Sequence, residues 1–300
     1  MSSVYRHPLA YLVGLEGVTL MKAFAGDYDR DVTMARLAET KRLLESADSW
    51  GEGVELPLLR TADGYDGWAP RYDDPSNGFF AMDEAELLPL LDQRPTGVAV
   101  DVACGTGRYA AHLAERGHEV YGFDTSPGML DIARTKVPGA HVELADMADL
   151  PLADGSVDLV VNTLALTHVA DLAPAFAEAA RVLRPGGHLL VSDVRGYYIG
   201  SDRTPLVETT PSGQTGYIEA WSHPTSRYLT AALPAGFRIR HCSERVVDGD
   251  PPTEPLAPPV ALDPRQPASI WDLHTWAPWA TYGVHGHRPW LIIWDFELDG

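Results

Sequence analysis

Three aspartates and one glycine-rich turn have the residue types and the spacing of a ligand-binding site. Asp101 lies near the end of an apolar segment, and Asp124 and Asp146 follow the next two apolar segments. The turn Gly105-Thr-Gly107 lies between the first of these segments and a run with helical spacing. Glycine lets a backbone turn sharply, so that N–H groups and a helix N-terminus can approach a ligand. Carboxylates at these points can accept hydrogen bonds from hydroxyl groups or attract a cation.

The residues around the turn discriminate between two ligands. The turn and the three residues after it satisfy the pattern G-x-G-x-x-A of nicotinamide dinucleotide sites. However, Asp101 would repel a pyrophosphate, whereas it would attract the ammonium and sulfonium groups of S-adenosylmethionine (SAM). Asp124 can bind the two ribose hydroxyls of either ligand and does not discriminate. Asp146 can accept a hydrogen bond from an adenine amino group, and the backbone N–H of Met147 can donate to the ring, which favours SAM.

The segments that carry these residues resemble a class I SAM-dependent methyltransferase. The resemblance covers roughly residues 62–245 and rests on Asp101-Val-Ala-Cys-Gly-Thr-Gly107, Asp124, Ala145-Asp-Met147 and Arg181-Val-Leu-Arg-Pro-Gly-Gly187. It implies methyl transfer from SAM, with S-adenosylhomocysteine as the product. At Ala103 the family usually has glycine, and a methyl group is tolerable there if φ stays negative. The predicted cofactor-binding residues are Tyr72, Asp101, Ala103, Cys104, Gly105, Gly107, Asp124, Thr125, Met129, Asp146, Met147 and Asn162.

The elements that must position these residues alternate along the chain. Apolar strands and helical runs alternate from residue 97 to residue 192, which predicts a doubly wound α/β sheet. Ser126-Pro127 predicts the start of one of the helices, with serine as the N-cap and proline at the first helical position. The resemblance implies a mostly parallel seven-stranded sheet. The segments 237–243 and 289–296 are predicted to form a C-terminal antiparallel hairpin at its edge.

The first part of the chain predicts a helical arm. Helices are predicted over 8–25 and 31–46, followed by a loop over 51–64, so that the arm spans residues 1–64. It could cap the substrate cleft, pack on a second subunit to give a homo-oligomer, or simply pack on its own domain. The SAM-binding domain is predicted over 65–300.

Two insertions into that domain are predicted to form a cap, at about 194–222 and 246–287. The segment 193–216 is polar and is predicted to be a loop near the cleft. The segment 248–267 contains many prolines and is predicted to lack regular structure.

Aromatic residues and one histidine are the candidates for the acceptor side. The resemblance implies that the segment 65–73 lies over the methionyl end of SAM, where Tyr65, Trp68 and Tyr72 could shield the sulfonium from water; alternatively they could belong to a helix that packs on the sheet. Met129 could touch the adenine or pack in the core. His168 follows the fourth predicted strand and could be a general base, or a capping or packing histidine. The predicted substrate residues, which line a pocket for a planar or apolar molecule or else fill the core of the cap, are Tyr65, Trp68, Trp221 and Trp276.

Composition limits the alternatives. The 300 residues carry 23 Lys and Arg against 42 Asp and Glu, a formal charge of −19, which disfavours nucleic acids and anionic membranes as partners. The two cysteines form no disulfide framework, so a cytoplasmic protein is predicted, and no metal-binding spacing is found. A bacterial methyltransferase that acts on a small molecule is the main interpretation. A nicotinamide-dependent oxidoreductase and a non-catalytic scaffold are the alternatives.

Overall fold

The structure is a computed structural model that describes residues 3–74, 78–195, 202–246, 251–252 and 268–300. These residues form a central sheet with flanking helices, a helical arm and two small two-stranded sheets. The strands are β1 (Ser3–Arg6), β2 (Val54–Pro57), β3 (Val98–Val102), β4 (Glu119–Asp124), β5 (His141–Leu144), β6 (Val157–Thr163), β7 (Leu183–Val194), β8 (Arg203–Thr209), β9 (Thr215–Trp221), β10 (Phe237–Ser243) and β11 (Leu291–Leu298). The helices are α1 (Pro8–Ala25), α2 (Arg30–Glu45), α3 (Thr61–Trp68), α4 (Gly78–Leu91), α5 (Arg108–Glu115), α6 (Pro127–Lys136), α7 (Ala173–Val182), α8 (Thr225–Ala232), α9 (Ile270–Trp276) and α10 (Pro278–His285).

The central sheet has seven strands in the order β10-β11-β7-β6-β3-β4-β5. The five strands from β3 to β7 are parallel, whereas β11 pairs antiparallel with both β7 and β10. This confirms the predicted sheet and its C-terminal antiparallel hairpin. Because β3 and β6 are neighbours, the chain order reverses between them. The loops that follow these two strands therefore meet at the switch point of the sheet, where ligands bind in such folds.

Local sequence explains the helices that flank the switch point. The Ser126 hydroxyl accepts a hydrogen bond from Met129 N at 3.2 Å and caps α6, and Pro127 occupies its first position, as predicted. Gly107 caps α5 with φ +80°, and a Cβ atom there would lie 3.2 Å from the Cβ of Ala133 on α6. Glycine is therefore required here both for the turn and for the close approach of the two helices.

The arm packs against the C-terminal helices. Buried apolar residues of α1 and α2 share one cluster with residues of α9 and α10. Glu16 of α1 is fully buried and is paired with Arg36 of α2 at 2.8 Å. Gly283 of α10 lies so close to Thr19 that a Cβ atom would approach within 2.4 Å. By length and composition α1 could span a membrane, with a mean hydropathy of 1.2, but a buried core helix passes the same test.

Two segments that were predicted to be loops contain strands. Residues 54–57 form β2 and pair with β1 at the N-terminus of the chain. Part of the segment 193–216 is likewise regular, since β8 pairs with β9 over seven residues from Arg203↔Trp221 to Thr209↔Thr215. These strands pair through backbone hydrogen bonds, and the polar side chains of the two segments do not indicate such pairing. The predicted irregular segment 248–267 lies almost entirely outside the described residues.

Several large apolar side chains of the arm are exposed among charged ones. Phe24 is 96% exposed, and Met21, Met34, Leu37 and Leu44 are also exposed.

Self-association through these helices, the division of the chain at residue 64 and a cytoplasmic location all stay predictions.

Candidate functional site

Backbone strain in the described residues is concentrated at the switch point. The two non-glycine residues with positive φ are Ala103 (φ 58°), directly after β3, and Leu164 (φ 55°), directly after β6. The condition that φ stay negative at Ala103 is therefore not met: the residue has the left-handed conformation that glycine would adopt without cost. Such strain persists only where the surroundings enforce it, and it is found preferentially at ligand-binding sites.

Replacing Ala103 by glycine is expected to stabilise the protein. An alanine in the left-handed region costs about 1–2 kcal/mol, and the extra freedom of glycine in the unfolded chain offsets about 0.5–1 kcal/mol of the gain. We expect the free energy of unfolding in urea to rise by about 0.5–1 kcal/mol. Ala111→Gly is the matched control, because Ala111 lies in α5 and should lose about 1 kcal/mol. If the free energy of unfolding fell equally in Ala103→Gly and Ala111→Gly, the backbone of Ala103 would not be strained.

Asp124 organises the glycine-rich turn. One carboxylate oxygen accepts a hydrogen bond from Gly105 N at 2.9 Å, and the other accepts from Ser126 N at 2.9 Å. Burial raises the pKa of the Asp124 carboxyl, and the backbone N–H groups that it accepts from oppose this shift. The carboxylate thus links the turn after β3 to the N-terminus of α6 and lies at the carboxyl end of β4.

Asp101 is almost completely buried, with 1% of its surface exposed. Its Oδ2 accepts a hydrogen bond from Ala110 N at 2.9 Å in the first turn of α5. Its Oδ1 has no partner among the described residues, and burial raises the pKa of the carboxyl to about 7. Asn162 on the neighbouring strand also has an unpartnered buried oxygen, while its Nδ2 donates to Val102 O at 3.1 Å. A ligand that donates hydrogen bonds would satisfy such acceptors.

The other predicted cofactor residues lie around the same edge. Met129 is buried in the first turn of α6, and Cys104 is buried beneath the turn, where its Sγ lies against Gly122. Thr125 and Asp146 are exposed to solvent. Asp146 accepts a hydrogen bond from Ala148 N at 2.9 Å, and Met147 packs on the core under the sheet.

Three aromatic rings pack together beside the turn. The ring centroids of Trp68 and Tyr72 are 4.9 Å apart, and that of Tyr65 lies 5.6 Å from Trp68 and 5.9 Å from Tyr72. A Cβ atom at Gly105 would lie 3.7 Å from the Tyr72 ring. Burial raises the pKa of Tyr72, so its hydroxyl stays protonated. The three rings therefore form one cluster, in which Tyr72 contacts the glycine-rich turn, and their role in shielding a cofactor stays a prediction.

Comparison with known proteins agrees with this geometry. The family model described as a methyltransferase domain matches residues 100–191. A demethylmenaquinone methyltransferase from Beutenbergia cavernae is 31% identical over 168 residues, which cover 51% of this chain and 70% of the relative. The chain belongs to the SAM-dependent methyltransferases.

Other relatives are similar over shorter parts of this methyltransferase. A malonyl-acyl-carrier-protein O-methyltransferase from Serratia marcescens is 39% identical over 106 residues, 35% of this chain and 42% of the relative. The matched part spans between 33% and 55% of the length of three curated relatives. Among solved structures, the cyclase SpnF has a TM-score of 0.54 at 19% identity and covers 81% of this chain and 98% of its own, which shows a shared fold alone.

Two acidic residues that the sequence analysis missed fasten the aromatic segment of the methyltransferase. Asp66 accepts hydrogen bonds from the Ser126 hydroxyl at 2.5 Å and from Gly128 N at 2.8 Å. Asp73 accepts from the Thr106 hydroxyl at 2.7 Å and is paired with Lys136 at 2.7 Å. The segment is thus held to the turn and to α6 at both ends. The repeated pair Tyr-Asp, seven residues apart, was the available signal.

His168 has hydrogen-bond partners at both ring nitrogens. Its Nδ1 lies 2.9 Å from Glu219 O, and its Nε2 lies 2.6 Å from the Tyr65 hydroxyl. Since a carbonyl only accepts, Nδ1 carries the proton, and Nε2 of the neutral ring accepts from Tyr65. Burial lowers the pKa of His168 below its ordinary value of 6.5. The imidazole is therefore neutral at pH 7 and is hydrogen-bonded to the Tyr65 hydroxyl.

The remaining predicted substrate residues, Trp276 and Trp221, have different surroundings. Trp276 packs on Trp50 with ring centroids 5.6 Å apart, within the apolar cluster of the arm. Trp221 ends β9, its ring stacks under the guanidinium of Arg203, and its carbonyl accepts from the Thr167 hydroxyl at 2.9 Å. The structure thus brings Tyr65 and Trp68 together with His168 and places Trp276 elsewhere. Among the residues that the structure describes, no cluster of side chains could bind a metal.

Proposed function

We propose that this methyltransferase transfers a methyl group from SAM to a small molecule by in-line displacement. The observation that carries the proposal is the buried, unpartnered Oδ1 of Asp101 at the switch point. A carboxylate in this position suits a cationic ammonium group, whereas a pyrophosphate would be repelled. A nearby cation would also favour the charged form of a carboxyl whose pKa burial raises to about 7.

Asp124 is proposed to bind the ribose hydroxyls. It would then exchange or share its hydrogen bonds with Gly105 N and Ser126 N, which lie at the same edge. Asp146 and Met147 are proposed to bind the adenine, and the rings of Tyr65, Trp68 and Tyr72 to keep water from the methionyl end. When it is bound, SAM supplies an electrophilic methyl group on a sulfonium that becomes neutral on transfer. Alignment of donor and acceptor can supply up to about 7–11 kcal/mol of the rate acceleration.

Tyr65 and His168 are proposed to remove the proton of an acceptor hydroxyl or acidic carbon. The Tyr65 hydroxyl would receive that proton and pass its own to Nε2 of His168, across the hydrogen bond of 2.6 Å. An imidazolium formed in this way would leave the net charge of the pocket unchanged, since the positive charge of the donor disappears in the same step. Burial therefore opposes the protonation of His168 less during transfer than in the resting protein.

The acceptor is proposed to be a planar or apolar small molecule. The strongly acidic chain disfavours nucleic acid, and aromatic rings border the cleft. The names of the relatives give two different acceptors, malonyl-acyl-carrier protein and demethylmenaquinone. The similarity to these relatives therefore does not identify the acceptor of this chain. Reaction in the cytoplasm is part of the same proposal.

Titration calorimetry with SAM, S-adenosylhomocysteine and NAD⁺ tests the proposed function. We expect both adenosyl ligands to bind and NAD⁺ to show no heat at the same concentrations. Asp101→Asn should weaken SAM more than S-adenosylhomocysteine if the carboxylate also senses the sulfonium charge, and should weaken both if it binds the ammonium alone. Binding of NAD⁺ without binding of SAM would overturn the proposal.

A further inference from the structure

A second cavity lies away from the glycine-rich turn, between the arm and the hairpin formed by β8 and β9. Its volume is about 430 Å³, within the range of small-molecule sites. We call it the arm cavity. Its lining comes from β1 and the start of α1, from β2, from the hairpin and from the beginning of α9.

The hairpin separates the arm cavity from the proposed methyl-transfer cleft. Tyr217 and Glu219 of β9 line the cavity, whereas Ile218 between them contacts Gly64 of α3 on the opposite face. Alternate residues of a strand point to opposite faces, so the two faces of β9 serve two different spaces. The arm cavity is therefore a site of its own and not an extension of the space around Tyr65.

One cation in the arm cavity has no carboxylate partner among the described residues. Arg6 donates from Nη1 to Pro205 O at 2.9 Å, and no ion pair of Arg6 is found within the described part of the chain. The other arginine of the lining, Arg203, is paired with Glu219 at 2.9 Å. An uncompensated guanidinium in a partly enclosed space attracts an anion, and its fork of donors suits a carboxylate. This is notable in a chain whose formal charge is −19.

One acceptor in the lining is also unsatisfied. The Nε2 atom of His7 lies 3.1 Å from Gly51 O and therefore donates, which leaves the lone pair of the neutral ring on Nδ1. That nitrogen is buried without a partner in the described residues. A ligand that carries a hydroxyl group could donate to it, because a buried acceptor without a donor is unfavourable.

The walls between these polar groups are aromatic and aliphatic. Tyr5, Tyr11 and Tyr217 line the cavity together with Pro205 and Leu273. Tyr5 is held by a hydrogen bond to Glu52 O, and Tyr11 by one to His274 at 2.7 Å, so two of the rings have fixed positions. Flat apolar walls with few polar groups favour a planar ligand.

From these observations we propose that the arm cavity binds a small hydroxyaryl carboxylate. The carboxylate pairs with Arg6, the hydroxyl donates to His7, and the ring lies among the tyrosines. Calorimetry with 4-hydroxybenzoate, benzoate and benzamide as probes tests each part. We expect 4-hydroxybenzoate to bind with a dissociation constant of about 1 mM or below, and benzamide, which lacks the charge, at least about tenfold more weakly.

Variants locate the binding. Arg6→Gln should weaken 4-hydroxybenzoate at least about tenfold. Ala10→Trp, from an exposed position of α1 at the cavity, should block it by filling space even if Arg6→Gln disturbs the ribbon of β1 and β2. Arg30→Gln is the matched control, because Arg30 is 85% exposed on α2, and it should bind like the native protein.

Absence of binding by both acids at millimolar concentration would overturn the proposal. So would binding that survives both Arg6→Gln and Ala10→Trp, since the acid would then lie elsewhere, for instance in the methyl-transfer cleft. The outcome is independent of the proposed function, because SAM binding is measured separately on the same samples.

Discussion

Replacement of His168 by glutamine is expected to slow methyl transfer by about 10²–10⁴-fold, the usual contribution of a general base. The affinity for SAM should stay unchanged, because His168 contacts Tyr65 and Glu219 rather than the glycine-rich turn. Turnover is measured as release of S-adenosylhomocysteine, with an acceptor found by screening phenolic compounds. Tyr65→Phe should show a similar loss, since it interrupts the path of the proton to Nε2.

The pH profile separates catalysis from a structural role. His168 must be neutral to accept a proton, and burial lowers its pKa below 6.5. With SAM at saturating concentration, so that protonation of Asp101 does not limit its binding, activity should therefore stay level as the pH falls through 6.5 and decline only below it, and this decline should vanish in His168→Gln. Tyr121→Phe is the control, because the Tyr121 hydroxyl bonds to Glu119, away from the cleft. Unchanged turnover in His168→Gln would show that the histidine only packs.

Replacement of Asp124 by alanine is expected to weaken SAM and S-adenosylhomocysteine by about 10- to 100-fold for each ribose hydrogen bond lost. Hydrogen bonds to charged groups contribute about 1.5–3 kcal/mol each. Part of the loss has a structural origin, because Gly105 N and Ser126 N also lose their acceptor. Calorimetry of both adenosyl ligands measures the effect.

A pair of further variants separates the two origins. Asp124→Asn keeps one acceptor oxygen for the turn and removes the charge, so it should retain more of the fold and still lose affinity. Asp131→Ala, on the exposed side of α6, should change neither the stability of the fold nor the affinity for the adenosyl ligands. If the Asp124→Ala variant binds S-adenosylhomocysteine within twofold of the native protein, the ribose is not bound at the end of β4.

The segment around the turn could be predicted because its signals are local. Strand β3, the glycine positions and the serine and proline that begin α6 each act on neighbouring residues. Asp101 and Asp124 reach the same edge of the sheet since each lies at the carboxyl end of a parallel strand. The resemblance to a methyltransferase used these same residues, and the fold and the family agree with it.

The conformation of Ala103 depends on more than its own residue type. Alanine prefers negative φ, yet the turn between β3 and α5 holds it at 58°. Leu164 is forced in the same way after β6, where its N–H donates to Ser192 O at 2.8 Å on the neighbouring strand. At both positions the left-handed conformation costs about 1–2 kcal/mol for a non-glycine residue. The pairing and packing of the whole strands and helices outweigh this cost, so the residues do not adopt the negative φ that they prefer.

By itself the sequence determined the alternation of strands and helices from residue 97 to residue 192, the glycine-rich turn and the acidic residues at the strand ends, because periodicity and capping depend on near neighbours. Only the tertiary structure decided that β8 and β9 form a hairpin, that Asp66 and Asp73 hold the segment 65–73 to the turn and to α6, and that Trp276 packs against the arm. It also decided the tautomer of His168, whose partners lie 103 and 51 residues away. Such contacts join residues far apart in the chain, and no local pattern encodes which of many polar or aromatic side chains will meet.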